Sequence, residues 1–310
     1  MINIEYIGWA GYTNYGDDFI KDIILRFGFK ECLSDIRMYG GGTLLPVSDK
    51  LKDIIVNKKI KDIICFGTGV NDNVFEIDNY EEYMKETKKE LENSEFIGLR
   101  CEKDKELLGM GEVIGDPMFS LRIPENITKD DNLVILNVGQ SYGKCWGGVK
   151  AEFNCFLTLL DFVKNYIIGE LKKEVIVVSL WSPDNVLAIT ASNYLNAKFF
   201  VNTIENMEVL GLFSTASAVI SYKLHGMITA LTVNTPVLPI EYRPKIRNVA
   251  KDFGIDNLVI KIDEVTEEKL KEKFEMLKDW NYKKVKDKKN EYGLKTFNFF
   301  NKIKEKYGEN

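Results

Sequence analysis

The chain has one histidine in 310 residues, His225. No ligand cluster stands at metal spacing, so the sequence points to no metal. Cysteine is sparse and unpatterned. Cys32, Cys65, Cys101, Cys145 and Cys155 form no C-x-x-C pair, and their number is odd. That argues against a disulfide framework or a zinc knuckle and for a reducing cytoplasm. No window approaches the roughly 20 apolar residues of a membrane span. The opening MINIEYIG has no basic region followed by a long apolar run, so no signal peptide is expected. There is no basic excess either: the net charge is −5, which is not that of a nucleic-acid binder. Internal repeats and low-complexity tracts are absent.

What is present is an ordinary soluble composition, 45% hydrophobic and 29% charged. The length suits two domains, each able to bury its own core. Strand-like runs (INIEYIG, DIICF, EFIGLR, NLVILNV, EVIVVSLW, AKFFVN, NLVIKI) alternate with helical stretches in both halves. Such alternation predicts an α/β fold with parallel sheets covered on both faces. We expect an N-terminal Rossmann-like domain over 1–124, a polar linker near 122–131, and a C-terminal Rossmann-like domain over 131–277. A basic tail occupies 278–310. The tail has ten lysines and five acids, a net charge of +5, against −10 for the remaining chain. Its aromatics suit a terminal helix packed on the core. The sharper reading is a surface resting on anionic lipid.

The informative stretch is 216–254. An apolar run, Ala218 to Ile220, delivers Ser221, Lys223 and His225, and Gly226 opens a helix. A second run, Pro236 to Ile240, delivers Arg243 and Lys245 to the start of another helix. In open α/β sheets ligands bind beyond the carboxyl ends of strands, and helix N-termini there favour anions. An imidazole between two cation-bearing loops suits a phosphorylated or carboxylated ligand. A lone histidine at a strand end is also, on spacing alone, a hydrogen-bonded structural residue, and both readings stand at this point. Upstream, Asn14, Gly16, Asp17 and Asp18 lead into a helix expected over about Phe19–Phe27. Two glycine turns, Gly40–Gly42 with Thr43 and Gly67–Gly69, are expected at strand ends. Acids in a first turn compensate the helix dipole. Glycines at strand ends make tight turns or let an anion approach the backbone.

These pieces together resemble the polysaccharide pyruvyl transferase family. Its pattern Ser-x-(Arg/Lys)-Leu-His-Gly reads here Ser221, Lys223, Leu224, His225, Gly226. Its later pattern reads Pro236, Val237, Tyr242, Pro244, Lys245, with Arg243 where members carry Asp. Its amino-terminal hallmark reads Thr13, Asn14, Tyr15, Gly16, Asp17, Asp18, and its glycine motif Gly40 to Leu45 with Thr43 for Ser. Asp116 and Pro117 match a short Asp-Pro element, which we read as architecture. Arg100 stands where an arginine joins the donor pocket, followed by Cys101 instead of Asp.

The resemblance implies a GT-B-like arrangement, two Rossmann-like domains facing a cleft. The N-terminal one, the acceptor side, is abbreviated here. It further implies phosphoenolpyruvate as co-substrate, with no cofactor, and a sugar acceptor, free or as a lipid-linked oligosaccharide, made into a cyclic pyruvate ketal. His225 and Asp17 would be acid and base, in either order. Arg100, Lys245, Lys223, Arg243 and Ser221 would hold the donor. Asn14, Gly16, Gly41, Gly42, Thr43, Gly67 and Gly69 would line the cleft. Partners are those two substrates, no nucleic acid, and a peripheral contact of the basic tail with the inner membrane surface. The expected location is the cytoplasm or that surface. Competing readings are a sugar-nucleotide glycosyltransferase of the same shape and a non-catalytic glycan-binding homologue. Thr203 and Glu205, beyond AKFFVN, complete the strand-end polar residues.

Overall fold

A computed structural model describes residues 1–48, 52, 60–75, 78–124, 127–201 and 206–308. Thr203, Glu205 and two linker positions, 125 and 126, lie outside them. The chain divides into two compact units. The first holds residues 1–12, 16–121 and 289–310, and the second residues 13–15 and 122–288.

In the first unit the elements are β1 (Ile2–Ile7), α1 (Tyr15–Arg26), β2 (Phe29–Glu31), β3 (Ile36–Gly40), β4 (Thr43–Leu45) and β5 (Asp62–Val70), then α2 (Tyr80–Leu91), β6 (Phe96–Leu99), α3 (Glu102–Leu108) and β7 (Glu112–Val113). The strands pair in parallel in the order β2-β1-β3-β5-β6-β7, with β4 on β5. The central strands are covered on both faces and largely apolar, as β6 (FIGL, wholly buried) illustrates, while Glu5 of β1 and Arg37 of β3 pair at 3.0 Å. The strand order reverses direction between β1 and β3, and the crevice at such a point is where ligands enter. Between α1 and β3 lies only the three-residue edge strand β2, with no helix. That is the abbreviation expected from the sequence.

Two details differ from expectation. Helix α1 starts at Tyr15 rather than near Phe19, one turn earlier. Gly67 and Gly69 lie inside β5, not beyond its end. The register shifts between Phe66 and Thr68, and the bulge lets the strand continue to Val70 through a positive φ at Gly67.

The second unit runs β8 (Asp130–Val138), α4 (Gly148–Phe162), β9 (Glu174–Ser179), α5 (Asn185–Leu195), β10 (Lys198–Val201), α6 (Asn206–Thr215) and β11 (Ala216–Ser221). It continues with α7 (Leu224–Thr232), β12 (Val237–Glu241), α8 (Pro244–Phe253), β13 (Ile260–Lys261) and α9 (Glu267–Glu275). Its parallel order, β10-β9-β8-β11-β12-β13, is the Rossmann order 3-2-1-4-5-6, with its reversal between β8 and β11. Helix α7 is apolar on nearly all sides and buried nearly throughout. Each fully buried Ile or Leu there is worth about 1.5–3 kcal/mol.

The last helix, α10 (Tyr282–Tyr307), is where the basic tail goes. From Lys289 onward it completes the first unit's core. Tyr292, Phe299, Phe300 and Ile303 are buried, with Phe300 against Phe27 and Phe29 and Phe299 against Phe66 and Phe96. Thr296 Oγ1 donates to the Ile114 carbonyl at 2.9 Å. Beside this helix, Asp116 caps the short turn Pro117–Ser120 by accepting from Met118 N at 3.0 Å.

Burial pushes the Asp116 carboxyl up to about 6, against hydrogen-bond and Arg100 contributions that lower it. The folded state therefore holds this proton more tightly than the unfolded chain does. Its contribution favours folding at low pH and declines as pH rises from about 4 to about 6. Asp116→Asn keeps the cap acceptor and removes the titration. Urea unfolding across pH 4–7 should show the wild type losing on the order of 2–3 kcal/mol relative to the variant.

Candidate functional site

The first unit gathers its candidates around the glycine turn after β3. Gly41 and Gly42 have φ of +65° and +60°, a conformation that other residues adopt at a cost. The turn is tied from below. Gly41 O accepts from Thr68 Oγ1 (2.9 Å), and Gly42 O from Gly69 N (2.8 Å) and Arg100 Nη1 (3.2 Å). Arg100 Nη2 donates to Thr43 Oγ1 at 3.2 Å. Asp17, 4% exposed, stands in the first turn of α1 close to Gly42, since a Cβ on Gly42 would lie 3.2 Å from its Oδ1. Asp17, Gly42 and Thr43 thus come together at the reversal point of the first sheet.

Arg100 has a different place from the expected one. Its side chain is 2% exposed, and its Nε lies 3.9 Å from Asp104 Oδ2. The guanidinium holds the glycine turn from inside the unit. Asp104 also accepts from Val70 N (2.7 Å), Cys101 N (3.1 Å) and Cys101 Sγ (2.9 Å). Burial nevertheless raises its pKa, and burial with Asp104 pushes the Cys101 thiol well up. Cys101, where the resemblance led us to expect Asp, stands buried at the N-cap of α3.

The second unit builds its candidates at the carboxyl ends of β8, β9, β11 and β12. The hub is Asn137, 1% exposed, near the end of β8 in a run of buried apolar residues. Its Oδ1 accepts from Ser221 Oγ (3.0 Å) and Lys223 N (3.1 Å), and its Nδ2 donates to Val178 O (3.1 Å). One amide thus links β8, β9 and β11 at the reversal point. Ser221 is fully buried, and its one hydroxyl proton lies within reach of both Asn137 Oδ1 and Lys223 O (2.9 Å). Lys223 Nζ donates to Gln140 O (2.7 Å), pairs with buried Asp184 (3.1 Å) and lies over the Trp181 ring. Burial raises the Asp184 pKa, while Lys223 and the Gln140 amide at 3.0 Å pull it back. Ser221 and Lys223, expected to hold a donor, are engaged in this framework.

His225, Arg243 and Lys245 are arranged differently. Helix α7 begins after Lys223 and α8 after Arg243, and neither start has a side-chain cap. The two helices leave adjacent paired strands, with Val219, Ile220 and Ser221 opposite Val237, Leu238 and Pro239. Two neighbouring helix starts, each with backbone N–H groups and a positive dipole end, favour an anion. His225 lies in the first turn of α7, and Lys245 in that of α8 next to Arg243. Arg243 Nε donates to Lys144 O at 2.8 Å, which ties the strand-end loop 139–147 to the start of α8. Lys245 Nζ lies over Tyr242, whose ring stacks on Tyr222 at 5.0 Å.

The same loop is held from the other side by Glu152 of α4. It accepts from Ser141 N and Oγ, from Gly143 N (2.7 Å) and from Tyr222 Oη (2.5 Å). Burial would raise its pKa, but the hydrogen bonds from Tyr222, Ser141 and Gly143 outweigh that and lower it. Asn14 also belongs here. It forms an antiparallel bridge with Trp181, and Tyr15 N donates to Leu180 O at 2.9 Å. Asn137, Asp184 and Glu152 were not among the site residues expected from the sequence. A polar residue closing the apolar run NLVILNV was the one available signal.

Gly226 shows how tightly the site is assembled. A Cβ there would fall inside hard contact of Ser221 Oγ and Asn137 Oδ1. Gly226→Ala should cost about 1–3 kcal/mol of stability. It should also lower activity, because the clash displaces the first turn of α7. Melting and turnover of the purified variant check this.

Among solved structures, the glycosyltransferase AviGT4 of avilamycin A biosynthesis is 12% identical, with a TM-score of 0.51, covering 99% of this chain and 97% of its own. WaaG, a glycosyltransferase of lipopolysaccharide biosynthesis, is 13% identical over the full length of both chains, with a TM-score of 0.44. A trehalose-6-phosphate synthase from Burkholderia multivorans is 10% identical, with a TM-score of 0.49, over 87% of this chain and 69% of its own. The AviGT4 likeness is one of fold, the GT-B-like class expected from the sequence. No curated protein matches the chain. The model of polysaccharide pyruvyl transferases matches residues 7–244, well over half the chain, and the protein belongs to that family.

Proposed function

We propose that the protein transfers the pyruvyl group of phosphoenolpyruvate to two hydroxyls of a sugar, forming a cyclic ketal on a polysaccharide or its lipid-linked precursor. The observation that carries this reading is the pair of helix starts without side-chain caps on adjacent strands, furnished with His225, Arg243 and Lys245. Phosphoenolpyruvate carries a phosphate and a carboxylate. Two cations and two helix starts match two anionic groups. The five free cysteines support a cytoplasmic reaction.

In the proposed reaction C3 of the enol takes a proton and C2 becomes oxocarbenium-like. One sugar hydroxyl adds at C2 and gives up its proton. The C2–O bond to phosphate breaks, phosphate leaves, and the second hydroxyl closes the ring with loss of its proton. Of the two hydroxyl protons, one balances that taken by C3 and the other leaves on phosphate. His225 and Asp17 are the acid–base pair for these transfers, and either can open the sequence. Arg243 and Lys245 hold the donor. Ser221 and Lys223 support the loops around it, and Arg100 holds the glycine turn of the first unit.

Ligand-dependent melting tests the donor. Phosphoenolpyruvate at about 100 times its dissociation constant should stabilise the folded protein by about 2.7 kcal/mol, whereas UDP and GDP should leave it unchanged. Stabilisation by a nucleotide and not by phosphoenolpyruvate would move the reading to a sugar-nucleotide glycosyltransferase.

A further inference from the structure

Helices α4 and α5 lie side by side on the second unit, α5 against β8 and β9. Their outer surface is unusual for this chain. Ten of their residues are exposed, and six of these are Val149, Phe153, Leu157, Val186, Ile189 and Tyr194. Val186 is 72% exposed, Val149 70% and Phe153 60%. With 29% of the chain charged, about three of the ten should carry charge, yet Lys150 alone does, and none is acidic. Helix α5 has no charged residue at all. Val149, Phe153 and Leu157 recur every four residues, so they form one stripe along α4. Soluble chains seldom leave such a contiguous patch uncovered.

The surroundings of the stripe indicate what covers it. Its rim is basic, with exposed Lys144, Lys150 and Lys164, the last over the Tyr194 ring at 4.2 Å. The nearby carboxylates are turned to other work. Glu152 is held by the loop, Asp184 is buried, Asp161 accepts from Tyr194 Oη at 2.6 Å, and Asp263, exposed beside Lys150, pairs with Lys261 at 3.3 Å. The stripe begins at the strand-end loop, where Val149 packs against Gly143 and Tyr142 stands 60% exposed.

We propose that the outer face of α4 and α5 rests on an anionic membrane surface, with its apolar side chains at the headgroup boundary and Lys144, Lys150 and Lys164 among the phosphates. Charge complementarity selects this occupant over a second copy of the chain. Two such faces together would bring one lysine-rich rim against another, with Asp263 the exposed carboxylate beside them and already paired with Lys261, whereas anionic headgroups supply the counter-charge. The contact is a surface one, because among the described residues no helix is long and apolar enough to cross a membrane. The basic tail is a poorer candidate, since Lys302 and Lys306 pair with Glu112 and Glu95 of the first unit, and Lys295 with Glu291. The surface proposal stands apart from the pyruvyl-transfer reading. Only the link to a lipid-linked acceptor rests on it.

The test is co-sedimentation of the full chain with phosphatidylcholine vesicles, with or without about 30 mol% phosphatidylglycerol, at about 0.15 M salt. The wild type should sediment with the anionic vesicles and remain in solution with the neutral ones. Phe153→Asp combined with Val186→Asp should reduce partition at least about tenfold, as expected for charge placed in the apolar face. Both side chains are exposed, so the variant should melt with the wild type and release phosphate equally with a soluble acceptor. That activity measurement separates a failure of the surface from a failure of the proposed reaction. Wild type staying in solution with anionic vesicles would overturn the proposal, as would equal partition of the variant. A concentration-dependent dimer in sedimentation velocity that the variant dissolves would also overturn it, in favour of self-association.

Discussion

His225→Ala lowers acceptor-dependent phosphate release from phosphoenolpyruvate by at least about 10²-fold, the usual contribution of a positioned acid or base. His225 is the one imidazole in the chain and lies in the first turn of α7, at the reversal point of the second sheet. Its backbone carbonyl accepts from Thr229 Oγ1 at 2.5 Å, a bond that the substitution retains. Alanine is also the best helix former, so the helix should persist. Melting within a few degrees of the wild type, together with the loss of turnover, is the expected pair of results. A purely structural histidine would give the opposite pair, a lower melting temperature with turnover per folded molecule intact. His225→Gln keeps hydrogen-bonding capacity but cannot titrate near neutral pH, and it should stay inactive if proton transfer is the role.

Asn137→Ala has the largest expected effect on stability, a loss of about 2–3 kcal/mol. The amide is buried and satisfies donors on Ser221 and Lys223 and an acceptor on Val178. Deleting it leaves those groups buried without that partner, and each costs on the order of 1 kcal/mol or more. The start of α7 hangs from the same bonds, so turnover should fall with stability. Asn137→Asp restores the acceptor for Ser221 and Lys223 but not the donor to Val178. It should recover part of the stability, which urea unfolding of the three proteins measures.

The longer strands of both units were legible because parallel strands covered on both faces read as continuous apolar runs, as in NLVILNV and EVIVVS, whereas the three-residue β2 and β4 were not. The block from Ser221 to Lys245 was legible because its spacing is that of two consecutive strand–turn–helix units. Which cation does what was not legible. Arg100 and Lys223 look in sequence like Arg243 and Lys245, all just past strand ends. Only packing shows that the first two are bound inside their own units, to Gly42 and Thr43 and to Asp184 and Gln140. Gly67 and Gly69 read as a strand terminator because glycine usually is one. Here a bulge carries β5 through them. Asn137, Asp184 and Glu152 are each a lone polar residue in sequence, and these partners lie 39 to 86 positions away or across a loop. The tail's aromatics were read correctly as core, since Tyr292, Phe299 and Phe300 are buried, while Phe297 faces solvent.

The most direct test of the account is phosphate release from phosphoenolpyruvate across a panel of galactose-, glucose- and N-acetylmannosamine-containing acceptors, with mass analysis of the sugar product. The account predicts release that requires an acceptor, a product heavier by one ketal-linked pyruvate, and loss of both in His225→Ala. Phosphoenolpyruvate left intact with every acceptor, while a nucleotide sugar is consumed, would contradict it.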